Sequence, residues 1–247
     1  MTATALLVAG CGGKKQDHSA GSSAPPGLEK LTQATTYTTV KGLPKDPDPA
    51  ATTDGTVVHP LKPRPISATV GGAPLAVLPS RELGGPTWVP VMESKPGWVR
   101  VLLPSRPNGA TGWIPTDAGS MQTAHSPYVL RVKTSTRKLS LSKSGHALGT
   151  WTVAVGAPKT PTPVGRTFLL ASMAPAKPTF SPLILPVGAH SDTLDSYGGG
   201  PGTVAFHGWP SKSVFGQAVT HGCVRVPADA LKRLSKIPLG TPVFITN

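Results

Sequence analysis

Proline and glycine interrupt this chain so often that a long helix has almost nowhere to form: 28 Gly and 29 Pro stand among its 247 residues. Proline removes a backbone donor and clashes with the preceding turn, and glycine loses the most chain entropy on ordering. Between them lie runs of a few residues rich in Val, Thr, Ile and Trp, the length and composition of short strands. The chain is therefore predicted to be mainly β. Its apolar content of 38% is enough for real cores, and its length allows one or two domains.

The formal charge of +13 is unevenly spread. Residues 1–55 balance five Lys against five acids, residues 56–119 hold six basic and three acidic residues, and residues 120–247 hold thirteen and three. A basic C-terminal half predicts an anionic neighbour, an anionic wall polymer or a membrane surface. Nucleic acid is disfavoured, because the cations occur singly and no recognition element accompanies them. The three acids of that half, Asp192, Asp195 and Asp229, leave little room for a catalytic carboxylate pair or an oxygen-ligand metal cage. With only Cys11 and Cys223 present, a disulfide framework is not expected and each thiol needs its own explanation.

At the N-terminus the apolar run Ala5-Leu6-Leu7-Val8-Ala9 is followed by Gly10 and Cys11. Residues 1–11 resemble a bacterial lipobox, although no Lys or Arg precedes Cys11 as a basic leader region would require. The resemblance implies cleavage before Cys11, lipidation of that residue and anchorage on the outer face of the cytoplasmic membrane. An incidental Cys in a frayed tail is the alternative. Residues 12–55 are polar and broken by Pro, a composition that buries too little apolar area to offset chain entropy, and are expected to be a disordered tether.

Two modules follow. In residues 56–119, short extended segments at Thr56–Pro60, Ala73–Pro79, Thr87–Met92, Trp98–Pro104 and Gly112–Ile114 alternate with Gly and Pro, the pattern of a small barrel or sandwich. The stretch from Trp98 to Ile114, turning at Arg106-Pro107-Asn108-Gly109, resembles a bacterial SH3-like module. Trp88, Trp98 and Trp113 are expected in its core, with an aromatic wall-ligand groove as the alternative. In residues 127–247 a hairpin is predicted at 128–132 and 138–141, with strands at 149–155, 167–171, 183–187, 203–206, 223–226 and 242–245. One short helix is predicted after Pro227, over 228–236, where Leu231 and Leu234 share a face and basic residues fill the last turn.

The chemistry concentrates between residues 203 and 227. His207-Gly208 ends one β-rich run, and Thr220-His221-Gly222-Cys223-Val224-Arg225 opens the next, with Cys223 sixteen residues after His207. That separation can return both residues to one rim of a sheet. A thiol is a nucleophile only as thiolate, and a neighbouring imidazole can take its proton. Amides around Gly222 and Cys223 could face an acyl oxygen. With no carboxylate nearby in sequence, a backbone carbonyl must orient the imidazole, and that of Gly208 is the natural one.

These residues resemble the catalytic domain of L,D-transpeptidases of the YkuD type, whose hallmark is a His followed at medium distance by Ser/Thr-His-Gly-Cys, an apolar residue, and Asn or Arg. Two further segments are similar to the family: Thr160-Pro161-Thr162-Pro163-Val164-Gly165 before a strand, and the closing Pro238-Leu239-Gly240-Thr241-Pro242-Val243. The resemblance implies a β-sandwich-like catalytic domain after the SH3-like module. It also implies Cys223 as nucleophile, His207 as base and then acid, and the Gly208 carbonyl as orienter. The amides of Gly222 and Cys223 would form the oxyanion hole, and Thr220, His221 and Arg225 would shape the donor site. The implied substrate is the peptidoglycan stem tetrapeptide, which loses its terminal D-Ala before the acyl group passes to an amine of a second stem. No cofactor or metal is needed, and a monomer is expected.

Other readings stay open on the residues alone. His207, His221 and Cys223 can ligate Zn, with His190 as a fourth ligand. Thr160 to Phe168 can be a Pro-fixed turn packed on the core. The whole chain can be a stem-cutting Cys-His hydrolase, or a non-catalytic wall-binding lipoprotein.

Overall fold

The computed structural model describes residues 27–177 and 179–247, so the segment around Cys11 lies outside the described residues. Nine strands make up the first module: β1 (Thr56–Pro60), β2 (Arg64–Ser67), β3 (Pro74–Leu78), the two-residue pair β4 (Arg81–Glu82) and β5 (Gly85–Pro86), β6 (Val89–Lys95), β7 (Trp98–Leu102), β8 (Thr111–Pro115) and β9 (Met121–His125). Seven of them form one antiparallel sheet in the order β3-β2-β8-β7-β6-β1-β9. The sheet thus continues past residue 119 to take in β9. Period two sets the buried face: in β7, Val99 and Val101 are buried while Trp98 and Arg100 are only half-buried. Of the three tryptophans expected in the core, Trp113 is buried. Trp88 and Trp98 are half-buried, Trp88 tilted against His59 with ring centroids 5.3 Å apart.

The second module opens with the predicted hairpin, β10 (Tyr128–Lys133) and β11 (Lys138–Lys143), then β12 (His146–Thr152), β13 (Val155–Gly156), β14 (Gly165–Phe168), β15 (Ile184–His190), β16 (Thr203–His207), β17 (Ala218–Thr220), β18 (Val224–Arg225), helix α1 (Ala228–Leu234) and β19 (Pro242–Thr246). A five-stranded sheet, β12-β11-β10-β19-β14, and a three-stranded sheet, β15-β16-β18, enclose a core of Leu130, Leu141, Val187, Phe206, Val226 and neighbours. In β10, Leu130 and Val132 point inward while Arg131 and Lys133 are exposed, which gives that strand one wet face and one dry face. Two details depart from the sequence expectation. The strand expected over 149–155 divides at Val153, whose amide and carbonyl turn to Arg137 and Gly216. Helix α1 ends at Leu234, with Ser235 as C-cap and Pro227 in extended conformation as N-cap.

The tether expectation requires correction for the described part of residues 12–55. Residues 32–55 run along both modules and are fixed by main-chain bonds: Ala34 to Val77 at 2.7 Å, Val40 to Arg106 at 2.9 Å, and Thr111 to Pro44 at 2.8 Å. Ala34, Thr36 and Val40 are buried. Asp46 takes both Nε and Nη2 of Arg166, at 2.8 and 2.6 Å, with both side chains almost wholly buried. Composition misled here because a few apolar anchors, Ala34, Val40 and Leu43, reach the first module's core and polar satisfaction orders the rest of the segment.

At the end of β14 the chain serves two cores at once. Phe168 and Leu170 pack into the first module's core, and Leu169 between them packs into the second. Period-two alternation therefore stitches the modules together through three consecutive side chains. Among the described residues, no helix is long and apolar enough to cross a membrane.

Candidate active site

β16 and β18 lie parallel, with Phe206 opposite Val224 and His207 opposite Arg225. Cys223 stands one residue before β18, two positions from Arg225. Continued at period two, the register puts Cys223, Arg225, Ala205 and His207 on one face. The short ladder brings residues sixteen apart in sequence to the same rim. His207 is 7% exposed, and its Nδ1 lies 2.8 Å from the carbonyl of Gly208. A carbonyl only accepts, so Nδ1 carries the proton and Nε2 keeps its lone pair. Gly208 is itself fixed: its amide donates to Ser181 Oγ at 2.7 Å, and Ser181 Oγ donates to the Leu183 carbonyl at 2.6 Å. Sequence reading missed Ser181, which stands in a Pro-broken loop and gains its meaning only when the fold closes residue 181 onto residue 208.

The turn that presents Cys223 is built by threonines. Thr220 Oγ1 donates to the Cys223 carbonyl at 2.6 Å and accepts the Gly222 amide at 3.2 Å. From behind, Thr160 Oγ1 donates to the Thr220 carbonyl at 2.8 Å and Thr162 Oγ1 to the Gly222 carbonyl at 2.9 Å. The Thr-Pro-Thr-Pro segment is thus more than a turn on the core, since its hydroxyls hold the loop that carries Cys223. Gly222 has φ +115°, a backbone conformation that side-chain-bearing residues rarely adopt. One expectation is corrected. The Gly222 amide donates to Thr220 Oγ1, as in a Ser/Thr turn, so it is already engaged and not free for an oxyanion. The Cys223 amide has no acceptor among the described residues.

The walls are aromatic and cationic. The Arg225 guanidinium lies 3.5 Å from the centre of the Trp209 ring, a close cation–π contact, and its buried Nε has no hydrogen-bond partner among the described residues. Phe180 meets the His207 ring edge-on at 4.9 Å, and Tyr197 stacks on His221 at 4.7 Å and 26°. Burial pushes the Cys223 thiol above its ordinary range, opposed by the neighbouring Ala205 backbone and by Arg225. Burial likewise pulls the His207 imidazole below its ordinary range, with the Gly208 carbonyl opposing and Arg225 reinforcing that shift. At neutral pH the resting pair is a thiol and a neutral imidazole. His190, the fourth ligand of the zinc reading, sits elsewhere: it is buried at the module boundary, with Nε2 2.7 Å from the Thr36 carbonyl and its main chain bonded to Asn108.

Fold and site together define a mainly β protein in two packed modules, the second presenting a cysteine and a buried histidine on one sheet rim. Residues 127–245, a little under half of the chain, match the family model of the L,D-transpeptidase catalytic domain, YkuD. No curated protein matches the chain's sequence. Among solved structures, it is similar to an L,D-transpeptidase from Mycobacterium smegmatis, at 17% identity over 64% of this chain and 99% of that one, TM-score 0.40. It is also similar to an L,D-transpeptidase from Mycobacterium tuberculosis H37Rv, at 15% identity over 64% and 93%, TM-score 0.43. A third is Bd1075 from Bdellovibrio bacteriovorus, at 29% identity over 49% and 48%, TM-score 0.39.

Proposed function

We propose that this chain is a peptidoglycan L,D-transpeptidase that joins stem peptides by acyl transfer through Cys223. The observation that carries the reading is the 2.8 Å contact between His207 Nδ1 and the Gly208 carbonyl, because it leaves Nε2 unprotonated on the face that Cys223 shares. As the sulfur attacks the donor carbonyl, Nε2 takes the thiol proton and becomes an imidazolium. The oxyanion develops before the Cys223 amide, and Thr220, His221 and Gly222 shape the surrounding loop. Collapse of this intermediate breaks the peptide bond, and the imidazolium protonates the departing D-Ala amine. A thioester remains on Cys223. An amine of a second stem then attacks it, His207 takes the amine's proton, and the thiol leaves reprotonated. Arg225, held over the Trp209 ring, supplies positive charge for a carboxylate or carbonyl of the stem.

The basic second module suits the anionic wall or membrane surface, and lipidation at Cys11 would keep the enzyme on the outer face of the membrane. An SH3-like role for the first module, as a wall-binding domain, belongs to the same reading. Incubation with a disaccharide tetrapeptide followed by mass spectrometry of the products tests the function. Cross-linked dimers with release of D-Ala are expected. A tripeptide alone would make the chain a hydrolase, and unchanged substrate would leave it a binding protein.

A further inference from the structure

The turn at Arg106-Pro107-Asn108 belongs to the first module, between β7 and β8, yet its side chains reach into the second. Arg106 Nη1 donates to the Pro201 carbonyl at 2.8 Å, and Nη2 donates to the Leu194 carbonyl at 3.2 Å, with the Ser191 carbonyl at 3.5 Å. Asn108 binds the main chain of His190 in both directions, Nδ2 to the carbonyl at 2.7 Å and the amide to Oδ1 at 2.8 Å. These bonds close both ends of one loop, residues 190–202, that links β15 to β16. The approach is close: a side chain on Gly202, which has φ +70°, would meet the Leu194 carbonyl and lie 3.3 Å from Arg106 Nη2.

At the tip of that loop Tyr197 forms a tight reciprocal pair with Gly200, two main-chain bonds of 3.0 Å, and lays its ring on His221. His221 is two residues from the nucleophile, and Tyr197 is near enough to Arg225 to act on its charge. The tip itself is thinly supported, with Asp195 to Gly199 exposed and three glycines in a row at 198–200. A glycine run has no stiffness of its own. The loop's position therefore depends on what grips its ends, and a planar guanidinium bonding two carbonyls seven residues apart is such a grip.

We propose that Arg106 is a positioning residue for the acyl-donor site: by holding the carbonyls of Leu194 and Pro201 it keeps Tyr197 stacked on His221 beside Cys223. The first module thereby completes the wall of a site whose reacting groups all lie in the second. The inference rests on the acyl-transfer reading above. It predicts that Arg106 acts on binding and acylation only through Tyr197.

The test is a double-mutant cycle on the full-length chain with a carbapenem as acyl donor, read as the second-order rate of adduct formation. Arg106→Ala is expected to slow acylation about tenfold, Tyr197→Ala by a similar factor, and the double variant no more than about twofold beyond the slower single one. Alkylation of Cys223 by iodoacetamide, which needs no donor pocket, should stay at the wild-type rate in Arg106→Ala. Wild-type acylation in Arg106→Ala, multiplicative losses in the double variant, or a parallel fall in alkylation would each overturn the inference. If Arg106→Ala is recovered unfolded, Arg106→Lys, which cannot span both carbonyls, decides by the same two rates. Absence of acylation in the wild type would instead sink the acyl-transfer reading. Amide exchange across 191–202 would then still test the grip, faster in Arg106→Lys if it holds and unchanged if it does not.

Discussion

Thr162 Oγ1 donates to the carbonyl of Gly222 at 2.9 Å while accepting the amide of Gly156 at 2.8 Å. One buried hydroxyl thus ties the residue before Cys223 to a strand end of the second module. Without it a buried carbonyl and a buried amide both lose their partner, at a cost of about 1 to 3 kcal/mol for each unsatisfied group.

Thr162→Val keeps the shape and removes the hydroxyl. The expected outcome is a drop in acylation of about tenfold or more, because displacement of a reacting group by a fraction of an ångström is costly in rate. Thr162→Ser should recover most of it. Stopped-flow adduct formation with a carbapenem, with urea denaturation alongside, checks both effects. Wild-type acylation in Thr162→Val would remove the buttress from the mechanism.

His207→Ala should slow acylation by about 10² to 10⁴, the usual contribution of a general base. His221→Ala loses only the stacking contact with Tyr197, worth about tenfold at most. Rates measured side by side decide the matter, and equal small losses would move the base away from His207.

Burial raises the Cys223 thiol and lowers the His207 imidazole, so the resting enzyme holds little thiolate at neutral pH. Iodoacetamide alkylation of Cys223 should climb through the alkaline range, beyond where an ordinary thiol levels off. Arg225 favours the thiolate, so Arg225→Met should raise the midpoint further and slow alkylation at pH 7. A plateau already reached near pH 6 would indicate a standing thiolate–imidazolium pair and contradict this picture.

Glu82 is buried against Thr36, whose amide it accepts at 2.5 Å, while its other oxygen has no partner among the described residues. Burial raises its pKa from 4.5 to about 7. The folded state favours the protonated acid, so Glu82's contribution is full below pH 4.5 and is lost as pH rises through about 7. That loss amounts to about 3 kcal/mol. His190 works in the opposite sense: lowered to about 4 from 6.5, it favours the neutral ring, and its contribution is lost as pH falls toward 4. Glu82→Gln should therefore gain stability over wild type at pH 8 relative to pH 5, measured by urea denaturation at both values. An identical pH profile in the two proteins would show that Glu82 ionises freely.

Much of this was legible before any fold was known, and the residues explain why. The hairpin of β10 and β11 announces itself through alternating Leu130, Val132, Leu139 and Leu141, and α1 through Leu231 and Leu234. His207 and Cys223 could be paired because each stands beside a glycine at the edge of an apolar run. Ser181, Arg106 and Tyr197 carried no such mark, since their partners lie 27, 88 and 24 residues away in sequence and only closure of the sheets brings them together. Thr36 and Asp46 were hidden for another reason: in composition a polar strap that packs by hydrogen bonds looks the same as a solvated tether. The engaged Gly222 amide was invisible because a side-chain turn and an open oxyanion site use the same residue types.

The central claim is that Cys223 is the nucleophile, and intact-mass analysis of the full-length chain after incubation with a carbapenem tests it most directly. One adduct per chain is predicted, mapped to the peptide that contains Cys223 and absent from Cys223→Ala. No adduct on the wild type, or an adduct of equal yield on Cys223→Ala, would contradict it.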